Sequence, residues 1–282
     1  MIERQSHPRS LTDSSPRIRL CVVTATPELL YESVMFAAEN ASREFGLHVF
    51  ANECSPSLDR IDHSAILFTT IQEVEENVGC TLGMHGIWEK HLHGKIDPDD
   101  IVVYIHDDLN ILEKNWDERI QRHFLSHPQA MLAGFGGARK LGDAAALYHT
   151  PYQLSQLARY QFGSNMVNAR AHGRLVTEEE QVATLDSFTL ILRERFLDEL
   201  GGWEWWPYPC HNFDNAVSCE ARKRGYETWL IPVHCHHKGG ETSCRPMYQE
   251  WAKQKFGGDA KVHADSHVLL YEKYRGVLPV IV

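Results

Sequence analysis

Short apolar runs alternate with segments of helical periodicity along most of the chain. A continuous apolar run is typical of a strand that is buried on both faces of a sheet. Such runs occupy residues 18–26, 47–51, 65–69, 101–105, 130–135, 187–193 and 228–233. Apolar residues at helical spacing lie between them, over 28–45, 81–93, 115–126, 194–200 and 214–224. The alternation predicts a Rossmann-like α/β domain, with a mostly parallel central sheet flanked by helices.

The run 101–105 is followed almost at once by a pair of carboxylates, Asp107 and Asp108. A turn-forming segment at 97–100 precedes the run, which favours a strand over a helix. In open α/β sheets, ligands bind beyond the carboxyl ends of the strands. Hard divalent cations such as Mg²⁺ and Mn²⁺ take oxygen ligands. The pair is therefore a candidate metal site, and the alternative from the residues alone is a cap on the following helix.

The two ends of the chain and its middle differ from this pattern. Residues 1–16 are rich in Ser, Pro and Arg, and we expect a flexible tail there. Residues 17–242 carry the alternation and are expected to form one domain, with 243–282 as a C-terminal extension packed on it. Residues 138–180 are polar and lack a clear period, which indicates long loops or a lid.

Composition and charge narrow the class of protein. Hydrophobic residues at 43% and charged residues at 23% are ordinary values for a globular domain. No apolar run is long enough to span a bilayer and no signal-peptide pattern is visible, so we expect a soluble, cytoplasmic protein. The seven cysteines are scattered without CxxC spacing, which fits reduced thiols. The net charge of −10 argues against a broad nucleic-acid-binding surface.

The second half of the chain contains an ordered set of motifs. They are 193–203 (RERFLDELGGW), 213–216 (FDNA), 222–226 (RKRGY), a strand ending near Pro232, and 236–240 (HHKGG). Here the chain resembles the GT-A-fold glycosyltransferases, in particular the large family 2 group. Members of that group typically show RxxFxxLGGFDE, an acidic ED helix start, RxxGY, a strand ending in Pro, and HHxGG.

The first half adds weaker similarities to the same family. Residues 22–26 resemble its first strand, 52–55 (NECS) stand where it carries DxGS, 77–79 (NVG) resemble its NxG, and 106–108 (HDD) stand at its DxD motif. The resemblance covers roughly residues 18–242. No single motif is specific, but the ordered set is.

The resemblance implies a glycosyltransferase that uses a nucleotide-sugar donor, with a UDP-sugar as the expected donor, and Mn²⁺ or Mg²⁺. Asp108 would be the first metal ligand, and Asp107 and His106 would lie at the diphosphate, although His106 replaces the first Asp of the motif. Either His236 or His237 would be the C-terminal metal ligand. Side chains alternate between the faces of a strand, so only one of the two can face the metal, and the spacing to Gly-Gly favours His237.

Asp214 would be the general base. An acceptor hydroxyl that attacks the anomeric carbon must lose its proton, and a carboxylate within hydrogen-bond reach can take it. This role implies inversion at the anomeric carbon. The alternative from the residue alone is a helix N-cap, for which Asp is among the favoured residues, and the two roles can coexist.

The segment 203–208 (WEWWPY) is rich in aromatic rings, which stack on sugars and on nucleobases. The resemblance implies an acceptor-binding loop there, with Trp203, Trp205 and Trp206 as candidate contacts and Asp186 as a further substrate-binding residue. The alternative is that one or two of these rings belong to the core, Trp203 above all.

The donor side is less well defined. Thr24, Asn52 and Glu53 would lie near the nucleoside, but Asn52 replaces the usual nucleoside-binding Asp, which leaves the donor base open. Family members often follow NxG with an Arg before an Asn, where this chain has Met84 and His85. The diphosphate contacts are therefore open as well.

Several alternatives remain from the sequence alone. The acceptor could be a glycan, a lipid-linked sugar or a hydroxymethylated base of phage DNA, although the acidic charge counts against DNA. A non-catalytic sugar-nucleotide or glycan-binding module would bind without turnover. The run 234–237 (HCHH) with Cys244 allows a zinc site, and hence a zinc-dependent hydrolase, but zinc ligands usually come as spaced pairs.

Overall fold

The computed structural model describes residues 15–141, 162–164, 173–239 and 244–282, with the backbone alone at 162–164 and 173–175. In chain order the strands are β1 (Ile18–Thr24), β2 (Phe45–Asn52), β3 (Ile66–Val74), β4 (Ile101–His106), β5 (Leu109–Ile111), β6 (Ala130–Gly134), β7 (Gly136–Ala138), β8 (Lys140–Leu141), β9 (Phe162–Ser164), β10 (Gly173–Leu175), β11 (Glu180–Gln181), β12 (Thr184–Leu185), β13 (Thr189–Arg193), β14 (Glu227–Leu230), β15 (Cys235–His237) and β16 (Val280–Ile281).

The helices lie between these strands and after them. They are α1 (Pro27–Asn40), α2 (Cys80–Ile87), α3 (Trp116–Ser126), α4 (Glu194–Leu200), α5 (Phe213–Lys223), α6 (Pro246–Phe256) and α7 (Asp259–Tyr274). A 3₁₀ turn is formed by Leu58–Arg60, and a π-helical turn, Trp88–Leu92, continues α2. No helix among the described residues is both long and apolar enough to cross a membrane.

Eight strands form the central sheet, in the order β11-β14-β6-β13-β4-β1-β2-β3. Strands β4, β1, β2 and β3 are parallel neighbours, and β14 is parallel to β6. Strand β13 runs antiparallel to both β4 and β6, and β11 runs antiparallel to β14. The predicted α/β class, with a mixed and mostly parallel sheet flanked by helices, is confirmed.

Successive side chains of a strand point to opposite faces of the sheet, and this divides the core into two layers. Val102 and Tyr104 of β4 pack with residues of α2, α5 and α7 on one face of the sheet. Ile101, Val103 and Ile105 pack with residues of α1 and α3 on the other. Because β4 has neighbours on both sides and helices over both faces, every residue from 101 to 105 is buried, as the apolar run predicted.

The predicted helix over 28–45 is wrong at its C-terminal end. Helix α1 ends at Asn40, and Phe45 and Gly46 already belong to β2. Asp117 accepts hydrogen bonds from the backbone N–H groups of Ser42 (2.9 Å) and Arg43 (2.8 Å), which holds the chain in a turn there. This contact comes from a distant segment, so helical periodicity could not reveal it.

Other boundaries follow the sequence closely. Helix α4 coincides with the predicted 194–200, whereas β3 runs further than predicted, to Val74. All seven cysteines are free thiols, as their spacing indicated. Most of the segment 138–180, where long loops or a lid are expected, lies outside the described residues. Nearly all of the expected tail 1–16 does so as well.

The C-terminal segment contains α6, α7 and β16. Trp251 Nε1 of α6 donates a hydrogen bond to the carbonyl of Asn77 (2.9 Å), and the Tyr274 hydroxyl of α7 donates to Glu220 of α5 (2.7 Å). Strand β16 pairs with β8. The segment therefore contacts the rest of the described structure through α6, α7 and β16, while the predicted division into a domain over 17–242 and a C-terminal extension stays a prediction.

Glu194, at the start of α4, lies near Ile101, the first residue of β4, and is 1% exposed. It is therefore far from Asp107 and Asp108, which follow the other end of that strand. Burial raises the pKa of Glu194 to about 8, and the charges of Asp198 and Asp100 act in the same direction. The folded protein therefore retains a proton that the unfolded chain gives up, and it loses stability as pH rises between about 4.5 and 8. Glu194→Gln is expected to raise the free energy of unfolding at pH 8 by about 1–3 kcal/mol.

Thermal unfolding of both proteins between pH 5 and pH 8 measures this effect. The gain in melting temperature should shrink toward zero at the acidic end of the range. Glu89→Gln, at an exposed position, is the matched control and should leave the pH dependence unchanged. An equal loss of stability with pH in wild type and Glu194→Gln would show that Glu194 does not titrate as described.

Candidate functional site at the carboxyl end of the central strand

Three side chains converge just beyond the carboxyl end of β4. The Nε2 atom of His237 lies 3.0 Å from Oδ1 of Asp108. The Nδ1 atom of His106 lies 3.3 Å from the same His237 nitrogen and 3.8 Å from Asp108 Oδ1. One ligand atom from each of the three residues therefore lies within the small volume that a metal ion could occupy.

The pairing of β15 with β5 brings His237 to this position. These strands are antiparallel, with His237 opposite Leu109 and His236 opposite Asn110. The Lys238 N–H donates to the carbonyl of Asp108 (3.1 Å), which extends the pairing past Asp108. His236 is not part of the cluster, and its charge instead acts on Glu32. Strand alternation thus separates the two histidines, as expected from the sequence.

The fully buried ring of Phe188 stacks on the imidazole of His237, with 5.0 Å between the ring centroids. Sequence reasoning missed Phe188, because an aromatic residue at the start of an apolar run carries no signal that separates a ligand-supporting ring from a core ring.

The two adjacent carboxylates have different environments. Asp107 accepts a hydrogen bond from the Thr24 hydroxyl (2.7 Å), so its side chain is tied to the end of β1. Burial raises the pKa of Asp107 to about 7, although the Thr24 hydrogen bond opposes that rise. Asp108 instead faces the histidines. The pair is therefore not a simple helix cap, and Asp108 is the carboxylate placed among nitrogen ligands.

The donor set fits a divalent ion of borderline character. Burial lowers the pKa of His106 to about 4, with the neighbouring His237 as the next cause, so its imidazole is neutral near pH 7. Two ligands at right angles, each about 2.1 Å from an ion, lie about 3 Å apart. The two shortest separations among the three ligand atoms agree with that spacing. Imidazole together with carboxylate suits Mn²⁺ better than Mg²⁺.

A zinc site built on 234–237 and Cys244 finds no support among the described residues. Neither Cys235 nor Cys244 belongs to a cluster of potential metal ligands in that part of the chain. Burial raises the pKa of Cys235 to about 12, so this thiol keeps its proton at neutral pH, whereas zinc binds the thiolate.

Asp214 lies at the start of α5. Its carboxylate accepts hydrogen bonds from the backbone N–H groups of Ser187 (3.0 Å) and Asn215 (2.8 Å). The N-cap position is held by Asn212, so Asp214 is the second helical residue and not the cap. Burial raises the pKa of Asp214 to about 7, and the charge of Asp186 adds to the rise.

Asp186 connects the two halves of the site. Burial raises the pKa of Asp186, and the charge of His237 opposes that rise. The same carboxylate acts on Asp214. Asp186 immediately precedes Ser187, whose N–H donates to Asp214, and Phe188, whose ring stacks on His237. The segment 186–188 therefore joins Asp214 to the cluster of Asp108, His237 and His106, which is called the metal-type cluster below.

The three candidates for the nucleoside lie at the ends of β1 and β2. Thr24 is engaged with Asp107, as described above. Asn52 accepts a hydrogen bond from the Val78 N–H (3.0 Å) and directs its amide toward the Gly79 carbonyl (3.4 Å), so it holds the NVG loop. Glu53 is exposed and has a left-handed backbone, with φ of +52°. Their roles toward a nucleoside stay predictions.

The aromatic loop is mostly core. Trp203 is fully buried and Trp206 is 1% exposed, so neither ring is open to a sugar in this structure. Trp206 also donates its indole N–H to the carbonyl of His211 (3.0 Å). Trp205 is half-buried, with the Lys273 ammonium 4.5 Å from its ring centroid. Trp203 packs edge-on against the rings of Tyr104 and Phe213, contacts that a Trp-rich sequence alone could not reveal.

Residues 98–257 match the model of a family described as a glycosyltransferase-like family. The match spans more than half of the chain and includes the metal-type cluster and Asp214. The chain belongs to this glycosyltransferase-like family. The resemblance to glycosyltransferases and the predicted enzyme class are thereby confirmed at the level of the family.

Solved structures agree on the fold of this family member. GalNAc-T7, solved with UDP, GalNAc and Mn²⁺, superposes with a TM-score of 0.56 at 12% identity, over 80% of this chain and 44% of that chain. The mannosyltransferase PcManGT from Pyrobaculum calidifontis, solved with GDP-Man and Mn²⁺, gives 0.51 at 12% identity, over 92% and 68%. This chain thus spans less than half of the GalNAc-T7 chain. A search of curated proteins finds no match.

Proposed function

We propose that the protein is a metal-dependent glycosyltransferase that moves a sugar from a nucleotide-sugar donor to an acceptor hydroxyl. The observation that carries the proposal is the cluster of Asp108, His237 and His106 at the carboxyl end of β4, with Asp214 joined to it by the contacts of Ser187 and Phe188. GalNAc-T7 and PcManGT, which share the fold, were solved with Mn²⁺ and a nucleotide or nucleotide sugar, which supports metal and nucleotide-sugar binding here.

Asp108 and His237 would hold the metal ion, with His106 as a third ligand. When bound, a divalent ion would supply positive charge against the departing nucleoside diphosphate. Asp107, fixed by Thr24, would face the ribose or diphosphate side of the same edge. Of the two histidines kept open by the sequence, His237 is the one that the geometry supports, because it lies 3.0 Å from Asp108.

Asp214 would act as general base. The acceptor oxygen forms the new bond to the anomeric carbon, its proton passes to the Asp214 carboxylate, and the bond from that carbon to the diphosphate oxygen breaks. One displacement of this kind inverts the anomeric carbon. A pKa of about 7 suits the role, because a base works best when its pKa lies near the working pH.

The first test is donor turnover. UDP-, GDP-, ADP- and CMP-sugars are incubated with the protein and Mn²⁺, with and without EDTA, and nucleotide release is followed. We expect release from one donor class, starting with UDP-sugars, and its loss in EDTA. Glycans, lipid-linked sugars and hydroxymethylated DNA then serve as acceptors in the same assay.

Two results would contradict the proposal. Metal-dependent nucleotide binding without any turnover would favour a sugar-nucleotide-binding module. Tight zinc in the purified protein, together with no affinity for any of the four donor classes, would favour a zinc hydrolase.

A further inference from the structure

The turn that precedes α5 has an unusual backbone. His211 and Asn212 both have left-handed conformations, with φ of +62° and +58°. Elsewhere in the described residues no two consecutive non-glycine residues have positive φ. Side chains with a Cβ atom disfavour this region, and such residues persist only where their surroundings hold them. The turn therefore needs an external constraint.

Helix α7 supplies that constraint. Oδ1 of Asp259 lies 2.7 Å from Nε2 of His211. The Asn212 amide donates to the Ser266 hydroxyl (2.8 Å) and lies 3.1 Å from Nδ1 of His267. Both left-handed residues are thus held by side chains from one helix of the C-terminal segment.

Helix α6 reinforces the same contact. The hydroxyl of Tyr248 donates to Asp259 Oδ1 (2.7 Å) and lies 3.0 Å from the Cys210 sulfur. Burial alone would lower the pKa of His211, but its hydrogen bonds to Asp259 and Cys210 raise it to about 10. The hydrogen bond from His211 lowers the pKa of Asp259. At neutral pH the two residues therefore form a charged pair.

The His211-Asn212 turn also fixes the start of α5. Asn212 is the N-cap, its carbonyl accepts the Ala216 N–H (2.8 Å), and its side-chain oxygen accepts from the Asn215 amide (3.0 Å). Asp214 lies two residues after the cap, so any rotation of the turn would move its carboxylate relative to the Ser187 N–H.

We propose that Asp259 and Ser266 of α7 clamp the His211-Asn212 turn and thereby position Asp214 for proton transfer. His211, Asn212 and Asp259 are positioning residues, since they act through Asp214 and not on the substrate. The inference rests on the proposed role of Asp214 as base. It assigns the C-terminal extension a part in the reaction, through geometry and without contact with the substrate.

The backbone conformation gives a matched pair of variants. His211→Ala and His211→Gly both remove the contact with Asp259 and keep the one between Asn212 and Ser266. Ala disfavours a left-handed backbone, whereas Gly adopts it without strain. We expect His211→Ala to lower kcat by about 10- to 100-fold, because small displacements of a reacting group have effects of this size. KM for the donor should stay within about two-fold, and His211→Gly should keep at least about ten-fold more kcat than His211→Ala.

Asn115→Ala is the control for the effect of backbone strain at a helix start outside the site. Asn115 is also a left-handed N-cap, with φ of +60°, but it begins α3 and is exposed. Asn115→Ala should lower stability and leave kcat unchanged. Equal kcat in His211→Ala and His211→Gly, or a loss that appears in KM, would overturn the proposal.

A second measurement does not depend on turnover. Hydrogen exchange of the amides in 209–218 should become faster in Asp259→Ala, which removes the oxygen that contacts both His211 and Tyr248. Exchange should stay unchanged in Asp265→Ala, which removes the surface pair with Lys261 on the same helix. Unchanged exchange in Asp259→Ala would exclude the clamp. If wild type turns over no donor, the proposed function fails. Faster exchange in Asp259→Ala would then still establish the clamp, but as a structural device without a catalytic role.

Discussion

Asp214→Asn is expected to lower kcat by about 10³-fold, with KM for the donor little changed, because a positioned general base contributes about 10²- to 10⁴-fold. The amide keeps the shape of the carboxylate, but its one oxygen can accept only one of the two N–H groups, since Ser187 donates to Oδ2 and Asn215 to Oδ1. The variant also loses the ability to take the proton of the acceptor hydroxyl. Steady-state kinetics with the donor identified by the release assay measure the effect.

The pH dependence checks the same role independently. Asp214 must be ionised to act as base, and burial together with Asp186 raises its pKa to about 7. The kcat of wild type should therefore fall as pH drops through about 7 and level off above it, and Asp214→Asn should show no such limb. Asp59→Asn, at an exposed surface position, is the control that should retain both rate and profile. Full activity in Asp214→Asn would leave Asp214 with a purely structural role at the start of α5.

His237→Ala is expected to raise the Mn²⁺ concentration needed for half-maximal activity by at least about 10- to 100-fold, since changes around a bound metal weaken its affinity by that much even when the altered residue is not itself a ligand. Asp108→Ala should have at least as large an effect, because it removes the charged ligand. Calorimetric titration with Mn²⁺ provides a readout that does not require turnover.

His236→Ala is the matched control for this second experiment. The two histidines are adjacent and of the same type, but strand alternation turns only His237 toward Asp108. His236→Ala should bind Mn²⁺ with nearly wild-type affinity. If His236→Ala loses the metal and His237→Ala keeps it, the pairing register of β15 with β5 is not the one that serves the metal.

The local pattern of apolar and polar residues was sufficient to predict much of the architecture. The apolar run at 101–105 determined a strand buried on both faces, because a strand needs hydrophobic side chains on both sides when helices cover both. The run 194–200 determined α4 to the residue, since a helical period ends there at Gly201-Gly202. The position of Asp107 and Asp108 just beyond a buried strand was enough to nominate the site.

Local pattern failed where a distant segment sets the conformation. The end of α1 depends on Asp117, and the burial of Trp203 and Trp206 depends on how the loop packs beneath other elements. In each case the residue type allowed two outcomes, and the sequence kept both open. The sequence contains no signal for the left-handed turn at His211-Asn212 other than an Asn before a helix.

The sequence by itself therefore determined the class of fold, the family resemblance, and the strand end at which the candidate site lies. Only the tertiary structure decided which carboxylate of the pair lies against the histidines, which histidine it meets, and which contacts surround Asp214. The physical reason is that strand and helix periods fix the face on which a side chain lies, but not the segment that lies opposite. Thr24 meets Asp107, His237 meets Asp108 and Asp259 meets His211 only after strands and helices far apart in the chain have packed together.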